Sequence, residues 1–269
     1  MSRHLISRRR FLGLPLAVFL APVGPWLAPG SAATGEGKRT YSADVGILYG
    51  LLTFRLDGVL NEAIDRTAGH YQVTIAGEGD GIANRIESRG LLRDGRWVPL
   101  EGRSWFNVKG RESRSELRYD WDRRAVEYHF HGETFFLRRL RVADDLVPVP
   151  RGVHVDDSVS AALNYADGVW PAQADGSYET YVVRRKREES EGPDEAQRFY
   201  RAELVPFALK VDADPASGKP TALFDLTRFS SWAKKGEPAR VTFGRDRRPE
   251  LMSMALILGS SVKIELRSL

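Results

Sequence analysis

His129, His131 and Glu133, in "EYHFHGE", are the residues whose spacing most suggests chemistry. Side chains two apart on a strand share a face. A His-x-His pair on a strand therefore converges two imidazoles on one point, a real way to hold zinc or another divalent ion. Glu133, His154 or His70 would be the third ligand, and the activity would be metal-dependent hydrolysis. The same alternation carries a plainer reading. Val126, Tyr128 and Phe130 form the opposite, apolar face, so the histidines turn to water and Gly132 ends the strand before Glu133.

Other motifs offer less. "GEGDG" (Gly77 to Gly81) lacks the following Lys and Ser/Thr of a phosphate loop, and "SGKPT" puts proline where a phosphate-binding helix would begin, so both read as hairpin turns. A Gly-x-Ser-x-Gly nucleophile elbow is missing. The acidic pairs Asp144-Asp145 and Glu188-Glu189 would point opposite ways on a strand. The chain has no cysteine, which excludes disulfides, thiolate metal sites, iron–sulfur clusters, thiol nucleophiles and lipid attachment through a lipobox. No catalytic residue set and no cofactor emerges, and binding is favoured over catalysis.

The aromatic residues are more suggestive. Trp105, Tyr119, Trp121, Tyr128 and Phe130 fall in the central segments, and inside a barrel they would line a groove for an acyl chain or another apolar ligand. Plain core packing competes with that reading. The basic runs Arg138-Arg139, Arg184 to Arg187 and Arg245 to Arg248 read as solvated edges that discourage aggregation, or as contacts for lipid phosphates and anionic polymers.

The elements that must position these residues are mostly short strands. "SVKIELRSL" alternates Val262, Ile264 and Leu266 with charged residues, and "LMSMALIL" precedes it across a Gly259-Ser260 turn, which predicts a C-terminal hairpin. "LRYDW" and "AVEYHFH" pair across Asp122-Arg123-Arg124. "HYQVTIAGEGDG", "RFYRAELVPFALKV", "PTALFDLTRF" and "ARVTFG" add strands. "GIANRI" near Ile82 suggests a helical turn. "DDSVSAALNYA", from Asp156 to Ala166, predicts a helix capped by Asp156 or Asp157, with Val159, Ala162 and Leu163 as its apolar stripe. The charged run from Arg184 to Gln197 reads as a solvated loop.

The N-terminus has the three parts of an export signal: a basic start, an apolar block too short to span a bilayer, and a small-residue end. Ser7-Arg8-Arg9-Arg10-Phe11-Leu12 matches the twin-arginine pattern, and Ser31 and Ala33 suit cleavage after Ala33. The expected organisation is a signal over 1–33, a flexible lead-in over 34–40 and one β-rich domain over 41–269. Lys and Arg number 40 against 36 Asp and Glu in the whole chain. The four leader arginines make up that excess (40 − 4 = 36), so the mature chain is formally neutral, without the basic stripe of a nucleic-acid binder. A second stretch able to span a membrane is missing. The expectation is a soluble periplasmic protein whose leader meets the export machinery.

"DDSVSAALNYADG", "ESRGLLRDGRWVPLEGR" and the ending "PELMSMALILGSSVKIEL" together resemble the bacterial envelope family known as domain of unknown function 3108, over about Tyr41 to Leu269. The resemblance implies a mainly β fold: an antiparallel, open or incompletely closed barrel with one short helix near 156–166, similar in outline to periplasmic lipoprotein carriers. It implies no reaction. The function expected is binding or carrying a hydrophobic or lipid-like envelope component. The alternatives are a metal-dependent hydrolase using His129 and His131, and a structural or assembly factor of the envelope.

Overall fold

A computed structural model describes residues 34–268 apart from 48, 135, 189, 190, 193 and 198. The proposed export residues Ser7, Arg8, Arg9, Phe11 and Leu12, and the cleavage pair Ser31 and Ala33, lie outside the described residues.

Period-two patterning runs through most of the chain and gives fourteen strands: β1 Thr34–Ile47, β2 Leu52–Asp65, β3 His70–Gly79, β4 Ile82–Arg93, β5 Arg96–Val108, β6 Arg111–Asp120, β7 Ala125–Glu133, β8 Leu140–Pro148, β9 Ser177–Arg185, β10 Ala202–Ala213, β11 Pro220–Phe224, β12 Ala239–Phe243, β13 Pro249–Leu256 and β14 Ser260–Ser268. One helix, α1 Ser158–Ala166, lies between β8 and β9. Asp80-Gly81, Asp94-Gly95 and Lys109-Gly110 make two-residue hairpin turns in which both residues have positive φ. That backbone twists with the strands, and an X-Gly pair adopts it at least cost.

The strands form a single antiparallel sheet in the order β8-β7-β6-β5-β4-β3-β2-β1-β14-β13-β12-β11-β10-β9. The sheet rolls up until β8 approaches β9 and β10, giving a nearly closed barrel with one unsealed seam. A few bonds stitch that seam. Tyr200 N donates to Val142 O (3.0 Å), Ala202 N to Asp145 Oδ2 (2.9 Å), Tyr181 N to His154 O (3.1 Å) and Asp156 N to Tyr181 O (2.8 Å). Antiparallel order puts the turns β1–β2, β3–β4, β5–β6, β7–β8, β9–β10, β11–β12 and β13–β14 at one end, here the upper end.

Inward positions are apolar: Ala43, Val45 and Ile47 of β1, Leu56 and Leu60 of β2, Val262 and Ile264 of β14. Gly58 and Gly77 pair across β2 and β3. A Cβ on either would meet the Tyr41 ring or hydroxyl at 2.4 Å, so both stay bare to let that ring lie across the sheet.

The helix is buried on every side rather than along one stripe. Small residues (Ser158, Ser160, Ala161, Ala162, Ala166) let it fit inside the barrel. Of the two candidate caps, Asp157 is the one used. Three other expectations change. "GIANRI" is β4 itself, with Ile82, Asn84 and Ile86 alternating inward. Thr34 to Thr40 forms the first half of β1, paired with β2 from Thr34–Asp65 onward. The run from Arg184 turns partly inward, because its buried Glu191 gathers arginines around it.

Candidate functional site

The chain leaves β8 at the lower end, crosses the seam at Val155 and enters the lumen at Asp156. From there α1 descends, so that its C-cap Asp167 accepts from Arg66 Nη2 (2.9 Å) and Trp97 Nε1 (2.9 Å). Asn164 reads the Trp97 peptide on both sides. Its Oδ1 accepts from Trp97 N (2.8 Å) and its Nδ2 donates to Trp97 O (2.9 Å). That peptide needs such a partner because β6 pairs with β5 only from Glu101 onward.

Above the helix the lumen is hollow. A cavity of about 250 Å³ is walled by Ile86, Phe106, Leu117, Tyr128 and Phe130 on one side and by Val183, Phe207, Phe224 and Phe229 on the other. Its floor is Asp156, Asp157 and Ala161, and Arg141, Arg184, Arg185 and Arg187 rim its upper part.

The floor is a buried polar network. Asp156 Oδ2 accepts from Arg96 Nη2 and Thr180 Oγ1, both at 2.5 Å. Its Oδ1 accepts from Ser160 Oγ (2.9 Å) and Asn164 Nδ2 (3.1 Å). Asp157 accepts from Ser160 N (2.7 Å) and Ser88 Oγ (2.5 Å), and Ser88 Oγ lies 3.0 Å from Tyr71 OH. Burial raises the Asp157 carboxyl above its ordinary range, against the pull of the Ser160 and Ser88 hydrogen bonds. Burial also raises the Tyr71 phenol, and the nearby Asp157 adds to that.

The rim is cationic. Glu191, only 4% exposed, accepts from Arg185 (3.0 and 3.3 Å) and lies 3.3 Å from Arg141. Arg184 grips Glu203 (2.6 and 2.9 Å), and Arg187 donates to Thr227 O (2.8 Å). Four guanidiniums face two carboxylates here. Burial lowers the Arg141 guanidinium below its usual value, and neighbouring Arg185 adds to the effect.

Tyr119, Tyr128 and Phe130 line the cavity. Trp121 stacks on Tyr119 (5.8 Å between centroids) and donates Nε1 to Pro99 O (2.7 Å), below the cavity wall. Trp105 takes the outward face of β5, in register with Arg85 and Arg114, because the inward places there belong to Ser104 and Phe106. The histidines also face out. His129 Nδ1 sits 3.0 Å from Asp144 Oδ1, both exposed, while Glu133 holds Arg138 (2.9 Å). His70 opens β3 at the lower end and His154 lies beside β9, so the expected third ligands do not approach the pair. Among the described residues, no three His, Asp or Glu side chains stand together as a metal site.

The second aromatic wall, Phe207, Phe224 and Phe229, was missed as a lining. Its signal was present in "VPFALKV", where Val205, Phe207, Leu209 and Val211 alternate. Nothing in the sequence showed that β10 would share one cavity with β7.

No family model matches the chain, and no curated protein matches it significantly. Among solved structures it is similar to a beta-barrel-like protein of domain of unknown function 1849 from Brucella abortus, at 12% identity and a TM-score of 0.39, over 91% of this chain and 98% of that one.

Proposed function

We propose that this chain is a non-catalytic binding protein that holds an apolar, acyl-like molecule in the upper half of its barrel. The observation that carries this reading is the aromatic-walled cavity in a lumen that is otherwise filled. Its volume lies just under the ~300–1,000 Å³ of common small-molecule pockets, which suits one narrow chain rather than a bulky ring system. The twin-arginine-like leader makes an envelope component the natural ligand, met in the periplasm.

Ala161 lies on the cavity floor, on the helix face that looks up. Ala161→Phe would fill the hollow, whereas Phe130→Ala would enlarge it. A fluorescent naphthylamine or fatty-acid probe should bind the wild-type protein and be excluded by Ala161→Phe, with circular dichroism and thermal melting reporting that the variant folds. Native mass spectrometry should show a co-purifying lipid in wild type alone. Equal probe binding by a folded Ala161→Phe variant would rule out this cavity as the site.

A further inference from the structure

Six of the ten exposed large apolar side chains among the described residues sit on three upper turns: Tyr49 and Leu51 on β1–β2, Phe136, Leu137 and Leu140 on β7–β8, and Leu258 on β13–β14. Tyr49 is 90% exposed, Leu51 81%, Leu137 60% and Leu258 56%. The turns are neighbours in space. Tyr49 N donates to Gly259 O (2.7 Å), Ile257 N donates to Trp232 O (2.9 Å), and the Trp232 ring lies 6.0 Å from that of Phe136. The apolar tips therefore run across the upper mouth on either side of buried Trp232.

The charges among these tips favour one sign. The described residues of 48–51 and 257–259 carry no charge, and those of 134–140 carry Arg138 and Arg139 with no acid. Exposed Lys234 and Lys235 follow Trp232 in the chain. Three acids lie among them: Glu133 against Arg138, Glu237 against Lys234, and Asp194, which accepts from Phe136 N and Leu137 N (both 3.1 Å), so four cations face three anions. The outer wall differs: Arg89–Glu101, Arg103–Glu116 and Arg118–Glu116 cover it with cross-strand and same-strand ion pairs.

We infer that the upper end of the barrel docks on an anionic lipid bilayer, with Tyr49, Leu51, Leu137 and Leu258 entering the interfacial layer and Arg138, Arg139, Lys234 and Lys235 meeting the headgroups. A protein partner needs one packed, complementary patch. Separate apolar tips on protruding turns do not form one, but fluid lipid closes around each tip, and cations near the surface add attraction to anionic headgroups. This face does not depend on what fills the cavity, so the two readings fail separately.

The chain has no cysteine, so single substitutions give unique labelling sites. Leu51→Cys and, at the lower end, Leu146→Cys would each carry an environment-sensitive fluorophore on the full chain. Vesicles of phosphatidylglycerol mixed with phosphatidylcholine should shift the emission of the label at 51 to the blue and leave the label at 146 unmoved. Pure phosphatidylcholine should give a weaker shift. With the label moved to Leu258→Cys, adding Tyr49→Ser and Leu51→Ser should raise the half-saturating lipid concentration by roughly tenfold. An unmoved label at 51, equal shifts at 51 and 146, or no loss from the serine pair would overturn the proposal and leave this face to a protein partner.

Discussion

The lower and upper halves of the lumen are built from the same alternating strands, yet one is filled and the other is hollow. In the lower half a helix of small residues brings its own polar groups inside, and each finds a partner: Asn164 with the Trp97 peptide, Asp156 with Arg96, Asp167 with Arg66. In the upper half the rings of Phe106, Phe130, Phe207 and Phe229 face a space that none of the described elements enters. The contrast separates two uses of an apolar interior. Packed against α1 it stabilises the fold, and unpacked it is free to receive a guest.

The sharpest way to break this contrast is to strand a charge in the filled half. Asp156→Ala leaves the Arg96 guanidinium buried beside Thr180 without its carboxylate. The expected loss is about 3–5 kcal/mol, read from urea unfolding. A loss under about 1 kcal/mol would mean that water reaches the floor and the helix is not sealed in.

Next in size is a matched pair of truncations. Leu163 in α1 is fully buried in the packed core, so Leu163→Ala should cost about 2–5 kcal/mol. Phe207 already borders empty space, so Phe207→Ala should fall at or below the lower edge of the ~3–5 kcal/mol range for phenylalanine while weakening probe binding. If Phe207→Ala proves the costlier, the upper half is as tightly filled as the lower.

The smallest effect concerns pH. Glu62 faces inward near the lower end beside Arg248 (3.6 Å), and burial lifts its carboxyl from 4.5 to about 7 despite Arg248 and Arg39. Between those values the folded chain keeps a proton that the unfolded chain has released. Stability therefore falls as pH rises from 4.5 to about 7 and levels off above. Glu62→Gln should flatten this slope. Melting temperatures across that window test the sign. An unchanged slope in Glu62→Gln would assign the pH dependence to another group.

The sequence carried the alternating strands, the hairpin between Asp120 and Ala125, the C-terminal hairpin and the helix with Asp156 or Asp157 as its cap. Each is a local pattern of period two, turn chemistry or capping. Period two also put Tyr119, Tyr128 and Phe130 on inward positions. Trp105 turns outward because Ser104 and Phe106 hold the inward places of β5, a register that aromatic character alone does not reveal. The inward turn of Glu191 and its arginines was illegible for a related reason. A charged run looks solvated until distant strands such as β8 and β9 close over it, and sequence distance hides that closure. The helix was legible as a helix, but its burial inside a barrel depends on the whole sheet curling around it.

The seam between β8 and β9 makes this barrel a scroll rather than a ring. Thirteen strand ladders hold the scroll in shape, while its two free margins are fastened by a short row of clasps. Loosening those clasps lets the scroll widen with every ladder intact. Its girth is thus set by the clasps and not by the ladders, which is not so for a fully sealed cylinder.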